Sequence, residues 1–140
     1  MEKRYIIGID QSTQGTKALL FDGVGHLLRR TDLPHRQIVN EKGWVSHDLN
    51  EIYRNTVQTV KTLVAESGVA PETIAGIGIS NQRETTAIWD KATGEPLEEA
   101  IVWQCGRASG IAQEIAEQGH AEEIRCLLYT SDAADDLIGV

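Results

Sequence analysis

The sequence predicts an α/β fold built on a mixed sheet, and three of its segments support that prediction. Residues 5–21 read as two strands joined by a polar turn, residues 49–64 as a long amphipathic helix, and residues 74–80 as an almost wholly apolar strand. A strand, a helix and a further strand in this order normally form a right-handed parallel crossover. We therefore expect an antiparallel meander beside a parallel pair of strands.

The N-terminal meander is predicted from short apolar runs that turn residues separate. Residues 5–9 and 17–21 are β-branched or apolar, and the Asp-Gly-Val-Gly sequence at 22–25 is a strong turn signal. A third strand is expected at residues 27–33. The three strands are therefore expected to lie side by side in chain order.

The long helix has a recognisable beginning and end. Asp48 followed by Glu51 has the form of a capping box. Apolar residues then recur at three- and four-residue steps, which gives the helix one apolar face. Gly68 suits the left-handed position that ends a helix, and Pro71 blocks its continuation.

The polar connection at residues 34–43 separates the meander from this helix. His26, His35 and His47 lie in or beside it without the spacing of metal ligands, so we expect solvated surface histidines. Beyond residue 80 the pattern predicts shorter elements, listed in chain order: a strand at 85–89, a turn at 90–94, a strand at 100–103 and a helix at 107–118 closed by Gly119.

Composition narrows the class of protein. The chain has 140 residues, of which 41% are hydrophobic and 24% charged, and this is typical of one soluble globular domain. Its net charge of −8 argues against nucleic acid or an anionic membrane as the main partner. The two cysteines match neither a disulfide framework nor a zinc site. With no signal peptide or membrane-spanning run in the sequence, a cytoplasmic protein is expected.

The turn between the first two strands has the chemistry of a phosphate site. Hydroxyl groups from Ser12 and Thr13 and the backbone N–H groups can donate to phosphate oxygens, Gly15 permits close approach, and Lys17 supplies positive charge. Asp10, where the strand ends, is suited to hydrated Mg²⁺. An ordinary hairpin with a polar turn is the alternative.

A second polar segment, residues 80–86, follows the buried strand at 74–80. Open α/β sheets place their ligands at such carboxyl ends. Arg83 offers a fork of donors and Glu84 two acceptor oxygens, so together they could clamp vicinal hydroxyl groups. Neighbouring residues on a regular strand point to opposite faces, so the clamp requires that the backbone has left the strand at Arg83. A solvated Arg–Glu loop is the alternative.

Three blocks together resemble the N-terminal part of the FGGY carbohydrate kinases, most closely the members that phosphorylate glycerol. They are Asp-Gln-Ser-Thr through Lys17, the segment Gly-Ile-Ser-Asn-Gln-Arg-Glu-Thr-Thr at 78–86, and Ala-Ile-Val-Trp-Gln-Cys at 100–105. The order and spacing of the blocks agree with the family over roughly everything to Arg125.

The resemblance implies the ribonuclease H-like fold of the actin and Hsp70 type of ATPase, here as an incomplete N-terminal domain with a mixed sheet and flanking helices. It also implies a phosphotransferase that uses ATP and Mg²⁺ on a small polyol. By similarity Asp10 lies near the metal, Arg83, Glu84 and Trp103 bind the polyol, and the phosphate contacts are Thr13, Gln14, Gly15 and Lys17. The catalytic base is expected beyond this segment, and the full-length protein is expected to form a homo-oligomer.

Some positions depart from the family pattern. The family usually reads Asp-Gln-Gly-Thr-Thr-Ser-Ser-Arg in the phosphate turn, so Lys17 replaces a bidentate fork by a point charge. Gly106 stands where an arginine is usual. A kinase for another polyol or a ketose is therefore an alternative substrate class, and a non-enzymatic ATPase module of the actin or Hsp70 kind is a further alternative. The Arg–Glu clamp favours the kinase, because a chaperone or filament does not need one.

Residues 126–140 are expected to be a non-native tail. Their sequence from Cys126 onwards resembles a translated sequencing adapter joined to a truncated gene. The expected organisation is therefore a partial kinase domain at residues 1–125 and this tail.

Overall fold

The computed structural model describes residues 4–123 and separates them into two units, one ending at Cys105 and the other beginning at Gly106. The regular elements of the first unit are β1 Tyr5–Gln11, β2 Gly15–Phe21, β3 Leu27–Pro34, β4 Ile38–Val39, β5 Val45–His47, α1 Leu49–Ser67, β6 Ile74–Asn81 and β7 Ala100–Ile101. A 3₁₀ turn, Pro71–Thr73, leads from α1 towards β6.

The main sheet has the order β3-β2-β1-β6. β1 pairs with β2, and β2 with β3, in antiparallel fashion, whereas β1 and β6 are parallel. This confirms the mixed sheet with a meander beside a parallel pair. In the register, Asp10 of β1 lies opposite Lys17 on one side and Ser80 on the other.

Helix α1 begins and ends at the residues that the sequence indicated. One carboxylate oxygen of Asp48 accepts from the backbone N–H groups of Asn50 and Glu51, at 2.8 and 3.2 Å, and Gly68 has a φ of 70°. The capping box is half formed, since no bond from the Asp48 backbone N–H to the Glu51 side chain accompanies these two. The Glu51 carboxylate instead accepts from the backbone N–H and Nε of Arg36, at 3.2 and 3.4 Å, because the chain before the helix passes over its first turn.

The core of the first unit lies between the sheet and α1, which packs on β2 and β3. Its members are apolar side chains that share one face of the sheet, together with one from the helix: Ile7, Ile9, Ala18, Leu20 and Leu63. Full burial of an aliphatic side chain of this size stabilises the fold by about 1.5–3 kcal/mol. This core fixes the two strands that border the phosphate turn.

A second, smaller sheet has the order β4-β5-β7. The strand predicted at residues 85–89 is wrong: the segment makes only isolated bridges, Thr86 with Ile101 and Trp89 with Pro96. The turn predicted after it does form, with the Asp90 carboxylate accepting from the backbone N–H groups of Ala92 and Thr93. The segment was read as a strand from its β-branched residues, but it lacks a continuous partner among residues 4–123.

The second unit is helical in its described part. A 3₁₀ turn at Gly106–Ala108 leads into α2, Ser109–Ile115, which continues as a π-helical turn at Ala116–His120. Gly119 has a φ of 89° within that turn, so it breaks the helix where a stop was expected, but helical residues resume as far as residue 123. Within residues 4–123 no helix is both long and apolar enough to cross a bilayer.

One apolar surface of the main sheet is uncovered among the described residues. Helix α1 lies over β2 and β3, whereas β6 is at the sheet edge and its Ile77 and Ile79 are 55% and 65% exposed. Their register partners on β1, Ile7 and Ile9, are buried. The buried strand expected at residues 74–80 is therefore wrong within residues 4–123, because β6 lies at the sheet edge and only β1 flanks it.

Replacing Ile77 and Ile79 by threonine should lower the fluorescence of a hydrophobic dye bound to the 140-residue chain. The stability cost should stay within about 0.5 kcal/mol per site, because little apolar area leaves water at either position. Ile7→Thr is the matched control in the paired strand and should cost about 2–4 kcal/mol in urea unfolding. Equal losses at residues 7 and 77 would contradict the exposed position of β6.

Candidate functional site

The polar segments picked out in the sequence meet at one edge of the main sheet. Because β1 and β6 are parallel, their carboxyl ends lie side by side, with Gln11 opposite Asn81. The pairing continues one residue further, since the backbone N–H of Gln82 donates to the carbonyl of Gln11 at 2.7 Å. The phosphate turn (residues 12–15) and the bend at Arg83 and Glu84 therefore leave the sheet next to each other.

The phosphate turn is closed by its own hydrogen bonds. The backbone N–H and the hydroxyl of Ser12 both donate to the carbonyl of Gly15, at 2.9 and 3.0 Å. An open pocket of about 310 Å³ lies beside it, lined by Ser12, Gln14, Gly15, Thr16, Lys17, Asp32, Leu33 and Pro34. Gln14, Gly15 and Lys17 thus face one cavity, and the end of β3 forms a wall that sequence reasoning missed.

Gly15 is required by the packing of β2 against β3. A Cβ at this position would lie 2.5 Å from the carbonyl oxygen of Leu33 and 3.1 Å from the Cα of Pro34. Both atoms belong to the backbone of the neighbouring strand, so no side-chain rotation can relieve the clash. Gly15 thus permits the close approach of β3 to β2. This packing role is separate from the role expected for Gly15 at a phosphate.

Asp10 and Lys17 form an ion pair across β1 and β2. The Lys17 ammonium donates to a carboxylate oxygen of Asp10 at 2.8 Å. Both side chains are partly exposed, and Lys17 lines the pocket beside the phosphate turn. The acid predicted for the metal and the cation predicted for phosphate are therefore neighbours.

One carboxylate at this place suits Mg²⁺, which usually takes one or two protein carboxylates and completes its shell with water and substrate phosphates. Among residues 4–123 no group of three or more His, Cys, Asp or Glu side chains could enclose an ion. A divalent cation at this place would therefore have the Asp10 carboxylate as its protein ligand.

The backbone has left the strand at Arg83, as the clamp requires. β6 ends at Asn81, and Arg83 and Glu84 form an exposed bend. Glu84 has a φ of 56° and is the one non-glycine residue with positive φ in the described part of the chain. A left-handed conformation costs a side-chain-bearing residue about 1–2 kcal/mol, and such strain tends to occur at functional sites.

Trp103 reaches the phosphate turn from the third block. Thr86 and Ile101 exchange backbone hydrogen bonds of 2.9 and 3.0 Å, which holds the segment after the bend against the segment before Trp103. The indole N–H of Trp103 donates to the hydroxyl of Thr13 at 2.9 Å, while the side chain remains 56% exposed. An aromatic predicted for the polyol thus contacts a residue predicted for phosphate.

Two of the three histidines contradict the expectation of solvated side chains. His35 is 9% exposed and His47 fully buried, with ring centroids 6.4 Å apart. Burial lowers the pKa of both rings, and for His35 the neighbouring His47 lowers it further, while Glu51 opposes the shift in each. Neither ring nitrogen of His47 has a hydrogen-bond partner among residues 4–123. Of these three histidines His26 alone is exposed, and it is paired with Asp22.

Comparison with known proteins gives matches over most of the chain. Residues 5–130 match the sequence model of the FGGY family of carbohydrate kinases, N-terminal domain. Glycerol kinase 2 of Thermotoga maritima is 44% identical over 122 residues, which are 87% of this chain and 25% of that protein. Glycerol kinase of Ligilactobacillus salivarius is 44% identical over 124 residues, 89% of this chain and 25% of that protein. The chain therefore spans about a quarter of the length of these relatives.

Solved structures give the same fold. Glycerol kinase of Plasmodium falciparum with ADP has a TM-score of 0.75 at 33% identity and covers 89% of this chain and 25% of that one. The ligand-bound xylulose kinase of Lactobacillus acidophilus has a TM-score of 0.78 at 26% identity, over 86% and 24%. The expected ribonuclease H-like fold is confirmed. The tail expected at residues 126–140 lies outside the described residues, and its boundary stays a prediction.

Gly15→Ala should destabilise the protein by about 1–3 kcal/mol, because β2 and β3 must separate to admit the methyl group. Urea unfolding measures the loss. Gly76→Ala on β6 is the matched control, since a Cβ there meets nothing within 4 Å. A Gly15→Ala protein as stable as the control would refute the close packing of Leu33.

Glu84→Gly should be about 1 kcal/mol more stable than Glu84→Ala, because glycine adopts positive φ without strain. Both changes remove the carboxylate, so the difference in unfolding free energy isolates the backbone term. At Glu98, an exposed residue without positive φ, the order of the two variants should reverse. The same order at both positions would contradict strain at Glu84.

Proposed function

Because the chain belongs to the FGGY family of carbohydrate kinases, we propose that it is the N-terminal part of an ATP-dependent kinase that phosphorylates glycerol. The observation that supports this best is the convergence of three polar segments at one sheet edge: the phosphate turn, the Arg83–Glu84 bend and Trp103. The products are glycerol 3-phosphate and ADP.

The proposed division of labour follows the chemistry of each segment. The phosphate turn binds the nucleotide phosphates through Thr13, Gln14, Gly15 and Lys17, with donors from hydroxyl, amide and ammonium groups. Arg83 donates to the polyol hydroxyls and Glu84 accepts from them. The indole face of Trp103 packs on the carbon side of the polyol, which is apolar.

Phosphoryl transfer requires chiefly positioning and neutralisation of charge. Mg²⁺, when bound beside Asp10, supplies positive charge to the phosphate oxygens. Lys17 adds a second positive charge on the same side of the turn. The Arg83–Glu84 bend orients the hydroxyl towards the turn, and the base that receives its proton is proposed to lie outside residues 1–125.

A ketose is the second candidate substrate, because the xylulose kinase of Lactobacillus acidophilus matches this fold as well as the glycerol kinase structure does. A panel of glycerol, xylulose and other polyols, each with ATP and the full-length protein, separates the two. Glycerol should give the highest kcat/KM. A preference for xylulose would support kinase activity and contradict glycerol as the substrate. Absence of ADP release with every member of the panel would refute the proposed kinase activity.

The charge of the chain bears on its partners. A net charge of −8 disfavours nucleic acid and anionic membranes as partners, and leaves small molecules as the ligands. We propose a cytoplasmic enzyme that forms a homo-oligomer at full length. Sedimentation of the full-length protein tests the assembly.

Arg83→Ala and Glu84→Ala should each raise the KM for glycerol and lower kcat/KM about ten- to a hundredfold, since losing one charged hydrogen bond costs about 1.5–3 kcal/mol. Lys17→Ala should instead raise the KM for ATP and leave that for glycerol nearly unchanged. Steady-state kinetics of the full-length protein with each substrate varied in turn measures both.

Arg54→Ala and Lys91→Ala serve as controls for loss of positive charge. Both side chains are exposed and belong to none of the three segments of the site, so both variants should match the wild type. If Arg83→Ala changed only the KM for ATP, the assignment of the two segments to two substrates would be wrong.

A further inference from the structure

His35 contacts the phosphate turn at Gln14 and approaches the two residues that flank the turn, Gln11 and Thr16. Its backbone N–H donates to the carbonyl of Gln14 at 2.9 Å. Its ring Nε2 lies 3.0 Å from the hydroxyl of Thr16 and 3.4 Å from the amide nitrogen of Gln11. The residue is buried and follows β3 directly, so the chain that walls the pocket also supplies this contact.

The other side of the ring faces helix α1. Asn55 Nδ2 lies 3.1 Å from Nδ1 of His35 and also donates to the carbonyl of Pro34 at 2.8 Å. The bond to a carbonyl identifies that atom as the amide nitrogen, which can only donate. Nδ1 of His35 must therefore accept, and in the neutral ring the proton resides on Nε2.

This tautomer sets the direction of the hydrogen bonds beyond the ring. Nε2–H donates to the hydroxyl of Thr16, which in turn donates to Thr56 at 3.3 Å, because Thr56 uses its own hydrogen on the carbonyl of Ile52 at 2.8 Å. The approach of Gln11 to Nε2 is then packing rather than a hydrogen bond, since both atoms are donors. One continuous chain of donors links α1 to the residue that follows the turn.

We propose that His35, in its neutral form, is a positioning residue that fixes the phosphate turn on helix α1 and thereby sets the affinity for the nucleotide phosphates. The inference rests on the proposed role of the turn in phosphate binding. His35 touches residues 14 and 16 by hydrogen bonds and lines no part of the pocket itself, so it acts through its neighbours. Polyol binding, at the Arg83–Glu84 bend, does not depend on it.

The surroundings of the ring favour the neutral form. The charged or titratable groups that act on it are His47 from β5 and Glu51 from α1, and Glu51 is paired with Arg36; β1 and β2 present the uncharged Gln11 and Thr16. Burial, reinforced by His47, keeps the pKa of His35 below its ordinary value. Protonation would place a hydrogen on Nδ1 against the amide donor of Asn55 and break the chain.

The free energy of unfolding should depend on pH through His35. A histidine with a lowered pKa in the folded protein is neutral at pH 7 in both states, and below about pH 6.5 the unfolded chain binds protons that the folded one does not. Stability is therefore lost as the pH falls below about 6.5, and His47 contributes in the same direction. The turn should keep its geometry until the folded ring itself takes up a proton, which the lowered pKa shifts to a lower pH than for an ordinary histidine.

His35→Phe in the full-length protein tests the inference, because it keeps a ring of similar size and removes both nitrogens. The dissociation constant for MgATP, measured by calorimetry without polyol, should rise about five- to thirtyfold at pH 7.5, as for a buried hydrogen bond whose partners are left unsatisfied. The KM for polyol should change less than twofold. His35→Gln, which can still donate to Thr16, should recover part of the affinity.

The pH profile separates positioning from mere stability. In the wild type, the dissociation constant for MgATP should rise more steeply than in His35→Phe once the pH falls below the ordinary pKa of histidine. His26→Gln is the control, since His26 is exposed and precedes β3 at the end away from the turn, and it should behave as the wild type.

Each outcome decides one question. A His35→Phe protein with a lower melting temperature but wild-type MgATP affinity would make His35 structural only and overturn the inference. Should His35→Phe fail to fold, Asn55→Leu removes the donor to Nδ1 and must weaken MgATP binding for the inference to stand. MgATP binding that responds to these changes in a protein that phosphorylates no polyol would refute the proposed reaction and keep the positioning role.

Discussion

The parallel pairing of β1 with β6 is the constraint on which the candidate site depends. It brings together two segments that are about 70 residues apart, and its last hydrogen bond, from Gln82 to Gln11, forms after the regular strand has ended. β1 is also the antiparallel partner of β2, so one strand positions both the turn that follows it and the bend that follows β6. The buried Ile7 and Ile9 secure β1 against the core. Stability of the core and geometry of the site are therefore linked through β1.

The smaller sheet contributes to the site by a different route. β7 pairs with β5, and Ile101 also pairs with Thr86, so the chain after the bend is held against the chain that ends in Trp103. The hydrogen bond from Trp103 to Thr13 then connects this layer back to the phosphate turn. In the proposed enzyme, the polyol and nucleotide sides would consequently share one bonded contact. Because Trp103 is half exposed, its position depends on the hydrogen bond to Thr13 and on the backbone pairing before it more than on burial of the ring.

Sequence patterns predicted the elements whose signals are local and strong. β1, β2, β6 and α1 have continuous apolar runs or marked caps, and the structure confirms each of them. The segment at 85–89 was misread because β-branched residues report a preference for extended backbone, not the presence of a partner strand. His35 and His47 were misread because burial of a polar ring depends on what packs over it. No local sequence pattern predicts that Asn55 and Thr16 will contact His35.

The Arg83–Glu84 bend was predictable from the sequence in part. Its chemistry could be read from residue types, and its need to leave the strand followed from the two-residue period of β structure. Its left-handed Glu84 could not be foreseen, because glutamate has no preference for positive φ. The strain is maintained by the pairing on both sides of it, Gln82 with Gln11 and Thr86 with Ile101. A side chain held in this way is already oriented before any ligand arrives.

The ion pair of Asp10 and Lys17 holds two opposite charges beside the phosphate turn before any ligand arrives. Both side chains are more than a third exposed, and exposed pairs typically contribute only about 0–1 kcal/mol, so the pair costs little to open. Its two members nevertheless hold each other at the mouth of the turn, where a metal and a phosphate would each require one of them. A nucleotide with its Mg²⁺ carries the complementary pair of charges, and could replace each partner by a stronger one. In the proposed enzyme, the pair would therefore hold two opposite charges in place and would open at small energetic cost to accept a ligand.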